Sequence, residues 1–265
     1  MADLYRVENL SLSLSDLTAK PLFGAAPRLS ILHGLSFSIP KGEVIGIVGG
    51  SGSGKSTLGR ALVRLLEPSG GHVLFDGQDI THLNEATLRP LRRRFQMIFQ
   101  DPMSSLNPRH TVDRLIGAPL ALHGFADIAA RVGHALDHVG LPRSFGTRYP
   151  HELSGGQRQR VGIARAIAME PEFILADEIV SGLDVSSQAQ VLTLLEGLVR
   201  EFGVTLAFIS HDLSVIRRLC ARTIVLHRGL IVEDRATADL FADPHDAYTR
   251  DLLGAIPLPD PEQPW

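Results

Sequence analysis

The sequence predicts an α/β fold with a phosphate-loop (P-loop) core, an antiparallel β-layer and an inserted helical subdomain. Three observations predict it. A glycine-rich loop joins the apolar run Val44-Ile45-Gly46-Ile47-Val48 to a helix opening at Ser56-Thr57-Leu58, short apolar strands alternate with helical stretches after residue 154, and residues 101–153 turn helical between prolines.

In chain order, short strands around Leu4–Leu14 and Leu32–Ile39, closed by the turn Pro40-Lys41-Gly42, read as the antiparallel layer. Strand, phosphate loop and helix then run from Glu43 to Leu66. Pro68-Ser69-Gly70-Gly71 punctuates the chain before a strand at His72–Phe75, and Asp76-Gly77 is a hairpin turn. Between 101 and 153, Ile128, Val132, Leu136 and Val139 recur at helical spacing, with prolines at 108, 119, 142 and 150. Beyond 154 come a helix over Arg158–Met169, strands at Phe173–Ala176 and Leu206–Ser210, a hairpin Ile224–Leu226/Leu230–Val232, and a C-terminal helix. The expected division is a core with its β-layer over 1–100 and 154–240, a helical subdomain over 101–153, and a C-terminal extension over 241–265.

The candidate chemistry begins with Gly49-Gly50-Ser51-Gly52-Ser53-Gly54-Lys55-Ser56, which fits G-x-x-x-x-G-K-[ST] in the strand-then-helix context the motif requires. Its glycines let successive backbone N–H groups face phosphate oxygens at the positive end of a helix. Lys55 is expected to reach the β- and γ-phosphates, Ser56 to offer its hydroxyl to Mg²⁺, and Thr57 or backbone amides to hold the α/β-phosphates. A second apolar strand ends in Asp177-Glu178, and paired carboxylates at such a place are costly unless they meet a cation or water. Asp177 is therefore expected at Mg²⁺ and Glu178 as the general base on the attacking water. Leu153-Ser154-Gly155-Gly156-Gln157 is a second glycine-bearing helix start able to receive an anion.

At these residues the chain resembles the nucleotide-binding subunits of ABC transporters, whose signature reads LSGGQ. The resemblance covers essentially the whole chain. It implies a single ABC ATPase domain of the P-loop NTPase class, and a head-to-tail pair in which Ser154, Gly155, Gly156 and Gln157 of one subunit close over ATP on the other's phosphate loop. It also implies roles for Gln100 in the Q-loop, sensing Mg²⁺ and the γ-phosphate, for Asp184 in the interface-crossing D-loop Ser181-Gly182-Leu183-Asp184, and for His211, the switch histidine beside Glu178. Two positions depart from the family pattern. The aromatic residue that usually stacks on adenine is matched by Leu14, with Tyr5 too early and Phe23 inside an insertion over residues 16–30, and Ile179-Val180 replace the usual proline after the carboxylates.

The stretches 101–109 and 185–190, and the tail Pro244-His245-Asp246-Ala247-Tyr248-Thr249-Arg250-Asp251-Leu252-Leu253, resemble the oligopeptide, dipeptide and nickel import branch, with Ala247 for its usual proline. The expected partners are a second ABC ATPase of the same or a related chain, transmembrane permease subunits and, indirectly, an extracytoplasmic solute-binding protein. Alternatives are an ATP-binding accessory protein of phosphonate breakdown and a soluble ABC ATPase outside transport. Composition fits an enzyme subunit: 265 residues, 44% hydrophobic, can bury a substantial core. A net charge of −3 gives no electrostatic case for nucleic acid, and Arg92-Arg93-Arg94 reads as a solvated face or a set of carboxylate partners. A lone Cys220 excludes an intrachain disulfide and suits a reducing compartment. No apolar run of membrane-spanning length or signal-peptide core is evident, so a cytoplasmic protein peripheral to the membrane's inner face is expected.

Overall fold

The computed structural model describes residues 2–16, 24 and 26–255; Phe23 and the segment beyond Ala255 lie outside them. In chain order the elements are β1 (Asp3–Ser15), β2 (Arg28–Pro40), β3 (Val44–Val48), α1 (Lys55–Leu62), β4 (Gly70–Phe75), β5 (Gln78–Asp79), α2 (Glu85–Arg92) and β6 (Phe95–Ile98). Then come α3 (Pro102–Ser105), α4 (Val112–Leu122), α5 (Ile128–His138), α6 (Gly155–Ile167), β7 (Phe173–Asp177), α7 (Val185–Phe202) and β8 (Thr205–Ile209). The chain closes with α8 (Leu213–Leu219), β9 (Arg222–His227), β10 (Leu230–Ala236), α9 (Thr237–Ala242) and α10 (Ala247–Gly254).

Two sheets organise the described residues. The smaller runs β2-β1-β4-β5, all antiparallel, and the larger runs β10-β9-β3-β8-β7-β6, parallel except for the antiparallel hairpin β9-β10. The parallel strands are largely apolar because both their faces are covered. Along β7, Phe173 and Leu175 face the core shared with α1 and the β-layer, whereas Ile174 and Ala176 face the core shared with α6 and α7. An edge contact of Tyr5 on Phe173, ring centres 4.6 Å apart, ties the two sheets together.

Helix α1 stops at Leu62, short of the expected Leu66. The residue that ends it is an arginine in left-handed backbone, Arg64 at φ 52°, where the usual sequence cue is glycine. The N–H groups of Leu65 and Leu66 turn back to the Arg60 carbonyl, and the Arg64 guanidinium is caught by the Ile80 carbonyl at 2.8 Å. Helix α6 starts earlier than expected, at Gly155. Of the arginine cluster, Arg92 pairs with Glu85 and Arg94 with both Glu172 and Asp76.

What positions the site is strand register. Asp177 lies level with Ile209, and Ile209 level with Ile47; Ile98 lies level with Ala176. The carboxyl ends of β3, β8, β7 and β6 therefore stand in one row, where open parallel sheets bind ligands. Each motif leaves the sheet from that row.

Candidate active site

The loop from Gly49 to Gly54 follows β3 and caps α1. Gly49 takes φ 149°, and a Cβ there would stand 2.1 Å from the Leu226 carbonyl oxygen; Gly54 takes φ 104°, and its Cβ would meet Leu32 at 2.9 Å. These two glycines are demanded by the chain's own packing. Lys55 is folded along the loop, its Nζ donating to the carbonyls of Gly49 at 2.8 Å and Gly50 at 3.0 Å. Burial pulls its pKa below the ordinary lysine range, against the opposing charges of Glu178 and Asp177. Ser51, Gly52, Ser53, Ser56 and Thr57, together with Ile31 and Glu178, line a cleft of about 290 Å³.

Asp177 closes β7 at 2% exposure. Its Oδ1 accepts from the Ser56 hydroxyl at 3.0 Å, and burial raises its pKa although Ser56, Arg60 and Lys55 all pull it down. A buried carboxylate beside a hydroxyl is a set of hard oxygen donors, which suits Mg²⁺. Glu178 has left-handed backbone, φ 49°, which turns its carboxylate away from the strand line. Gln100 Nε2 donates to Glu178 Oε2 at 3.0 Å, and His211 Nδ1 lies 3.6 Å from the same oxygen. Gln100, expected at Mg²⁺, thus reaches Glu178 rather than the Ser56–Asp177 pair. Glu178 also borders a second small cleft, of about 130 Å³, shared with Ser181, Gly182, His211 and Asp212.

Asp184 and the signature segment stand apart. Asp184 caps α7, accepting from the backbone N–H of Ser187 at 2.9 Å and from its hydroxyl at 2.7 Å. Ser154 and Gln157 form a reciprocal cap on α6: Gln157 N–H donates to Ser154 Oγ at 3.3 Å and Ser154 N–H to Gln157 Oε1 at 2.9 Å. Among the described residues no hydrogen bond joins Ser154, Gly155, Gly156 or Gln157 to the loop. A Cβ on Gly155 would meet nothing within 4 Å. The exposed Leu14 sits at the C-terminal end of β1, opposite Leu29 of β2, and Tyr5 is buried with its hydroxyl on the Leu62 carbonyl. Two residues at the loop were not read from the sequence as belonging to the site. Ile31 lines the cleft but carries no signal beyond being apolar on a strand, and Tyr248 in α10 accepts a hydrogen bond from the loop amide of Gly50.

Compared with known proteins, residues 32–181 match the family model described as ABC transporter. A putative peptide import ATP-binding protein of Brucella ovis is 52% identical over 237 residues, which span 88% of this chain and 75% of the relative. The oligopeptide transport ATP-binding protein AppF of Bacillus subtilis is 51% identical over 231 residues, spanning 86% of this chain and 70% of that protein. Among solved structures, the dimeric post-hydrolysis state of the ATP-binding cassette MJ0796, bound to ADP and Pi, superposes with a TM-score of 0.77 at 29% identity. It covers 88% of this chain and 98% of that one.

Proposed function

Because the chain belongs to the ABC transporter family of ATP-binding proteins, we propose that it is the ATP-hydrolysing subunit that energises an importer of peptides or a related small solute. The observation that carries the site assignment is the meeting of Lys55, Ser56, Asp177, Glu178 and His211 along one row of strand ends. In this reading the loop amides and Lys55 bind the triphosphate, and Lys55 exchanges its two loop carbonyls for phosphate oxygens. Ser56 and Asp177 would hold Mg²⁺, which when bound neutralises charge on the β- and γ-phosphates. Glu178 accepts a proton from the water that attacks the γ-phosphorus as the bond to ADP breaks, and His211 and Gln100, both at its Oε2, fix its orientation.

The relatives' names support peptide import as the task. No helix among the described residues is long and apolar enough to cross a membrane, so a permease must supply the path, with this chain peripheral on the membrane's inner face. A groove of about 570 Å³ between β6, α1 and α4, lined by Val63, Leu65, Phe95, Phe99, Pro119 and Arg165, fits a short permease helix. Its Phe99 is next to Gln100, so nucleotide state at Glu178 is one residue from the docking surface. Ser154, Gly155, Gly156 and Gln157 of a partner cassette, identical or related, complete the site, so that ATP binding closes the pair and hydrolysis opens it.

The test is Glu178→Gln, assayed for turnover and by size-exclusion chromatography in ATP. Expected are a turnover loss of roughly 10²- to 10⁴-fold and a nucleotide-trapped dimer. Full turnover in the variant would remove Glu178 as the base. A variant that stays monomeric in ATP beside a wild type that does not hydrolyse would replace the identical pair by an unlike partner.

A further inference from the structure

The C-terminal pattern around Tyr248 has no part in the mechanism above, yet it touches the phosphate loop. We infer that Tyr248 is a positioning residue for that loop, holding the Gly49–Gly50 peptide in the orientation that nucleotide binding uses; the inference rests on the loop being the nucleotide site.

The geometry is that of a clamped peptide plane. The Gly50 N–H donates to Tyr248 Oη at 2.6 Å. The carbonyl of the same peptide unit, on Gly49, accepts from Lys55 Nζ at 2.8 Å. One peptide thus has its donor end fixed by α10 and its acceptor end against the lysine that the phosphates must recruit. There is little slack: a Cβ on Gly50 would come within 3.0 Å of Tyr248 Oη.

Tyr248 is itself held. Its ring lies 3.8 Å from the ring of His227, tilted by 30°, at the end of β9. Glu233 in β10 accepts from the backbone N–H groups of His245 at 3.1 Å and Asp246 at 3.2 Å, and Asp246 caps α10 by accepting from the Tyr248 N–H at 2.8 Å. Burial works to raise the Glu233 pKa, but the N–H groups of His245 and Asp246 together with the side chains of Thr249 and Arg235 outweigh it and hold the carboxyl below its ordinary range. The turn after β9 grips the loop's other end, Gly229 N–H donating to the Ser53 carbonyl at 3.0 Å. Hairpin and helix together form a fixed wall behind the loop, and Tyr248 is its contact with the Gly49–Gly50 peptide.

Tyr248→Phe keeps the ring on His227 and removes only the hydroxyl, and with it the acceptor for the Gly50 N–H. In the full chain, the dissociation constant for a fluorescent ATP analogue with Mg²⁺ is expected to rise about three- to tenfold, the range of one hydrogen bond. Turnover at saturating ATP should stay within twofold, so KM moves and kcat does not. Hydrogen exchange of the loop amides in the nucleotide-free protein should quicken, while the melting midpoint stays within about 2 °C. Unchanged nucleotide affinity with unchanged loop exchange would overturn the inference. So would a parallel fall in affinity, kcat and melting midpoint, which marks a merely structural residue. If the wild type itself bound no nucleotide, the proposed function would fail, and the exchange rates would still decide whether Tyr248 orders the loop.

Discussion

The molecule has two glycine-bearing helix starts, and they differ in who needs the glycines. At the start of α1, Gly49 and Gly54 have left-handed backbone, and side chains there would strike Leu226 and Leu32 of the same chain. At the start of α6, a Cβ on Gly155 would meet nothing within 4 Å and one on Gly156 only the Ser187 side chain, at 3.3 Å, and Ser154 and Gln157 already satisfy each other. Charge divides them in the same way. The first start has Lys55, Asp177 and Glu178 gathered at it, whereas Ser154, Gly155, Gly156 and Gln157 bring no ionisable side chain of their own. In the proposed function the first is half of a site, and the second is the surface that a partner's nucleotide would meet. That division is what the proposed pairing of two cassettes requires, and the similar MJ0796 cassette is itself dimeric.

The sharpest way to break the contrast is to place the same methyl group on each. Gly49→Ala meets a backbone carbonyl at 2.1 Å in a backbone region that costs L-residues, so a loss of about 3 kcal/mol is expected. For a chain of this size that lowers the melting midpoint by roughly 6–12 °C. Gly155→Ala should leave the midpoint unchanged or raise it slightly, since alanine is favoured over glycine in a helix by up to about 1 kcal/mol. Combined with Glu178→Gln, it should abolish the ATP-trapped dimer on size-exclusion chromatography. A Gly155→Ala protein that dimerises normally would mean that the second helix start faces no partner.

Asp177 sharpens the other side of the comparison, because burial disfavours its charged form. Its folded pKa is raised by burial, so the folded protein binds that proton more tightly than the unfolded chain. Nucleotide-free stability should therefore fall as pH rises from the ordinary aspartate value, about 3.9, through the raised one. Asp177→Asn removes this slope. Calorimetry without nucleotide should find the variant more stable than wild type at pH 7 and equal to it below about pH 4, while Mg²⁺-dependent turnover is lost. A variant less stable at pH 7 would show that the carboxylate is already well satisfied.

Lys55, Asp177 and Glu178 were legible because each follows an apolar run that reads as a strand, whereas Gln100 and His211 were assigned only through the family resemblance, and β6 ahead of Gln100, with Gln96 and Met97 at its centre, was not read as a strand. Legibility failed where a contact depends on tertiary approach. Nothing in the residues near Leu62 announces that Arg64 would end α1, since the arginine takes a glycine's conformation with its head group donating to the distant Ile80 and Leu83 carbonyls. The start of β2 at Arg28 was missed for a related reason: Arg28-Leu29-Ser30 are exposed and lack alternation, and the strand persists there because it pairs with Leu14 and Ser15. Tyr248 was visible only as part of a branch pattern, since no periodicity tells that α10 opens against Gly50.

The smallest expected effect on the fold is also the finest test of the second helix start. Ser154 caps α6 through its hydroxyl, and aspartate caps about as well as serine. A negative charge at a helix N-terminus is stabilising by about 0.3–1 kcal/mol when exposed. Ser154→Asp should therefore leave the isolated subunit as stable as wild type or marginally more so, by thermal melting. If that helix start meets a partner's triphosphate, the same substitution sets a carboxylate against phosphate oxygens, and ATP-driven association in the Glu178→Gln background should fall at least tenfold. Salt should partly restore it, because the penalty is an exposed like-charge repulsion that ions screen. Opposite signs on stability and association from one side chain are what a surface built for an external anion produces. Equal association of variant and parent would leave Ser154 as a helix cap and nothing more.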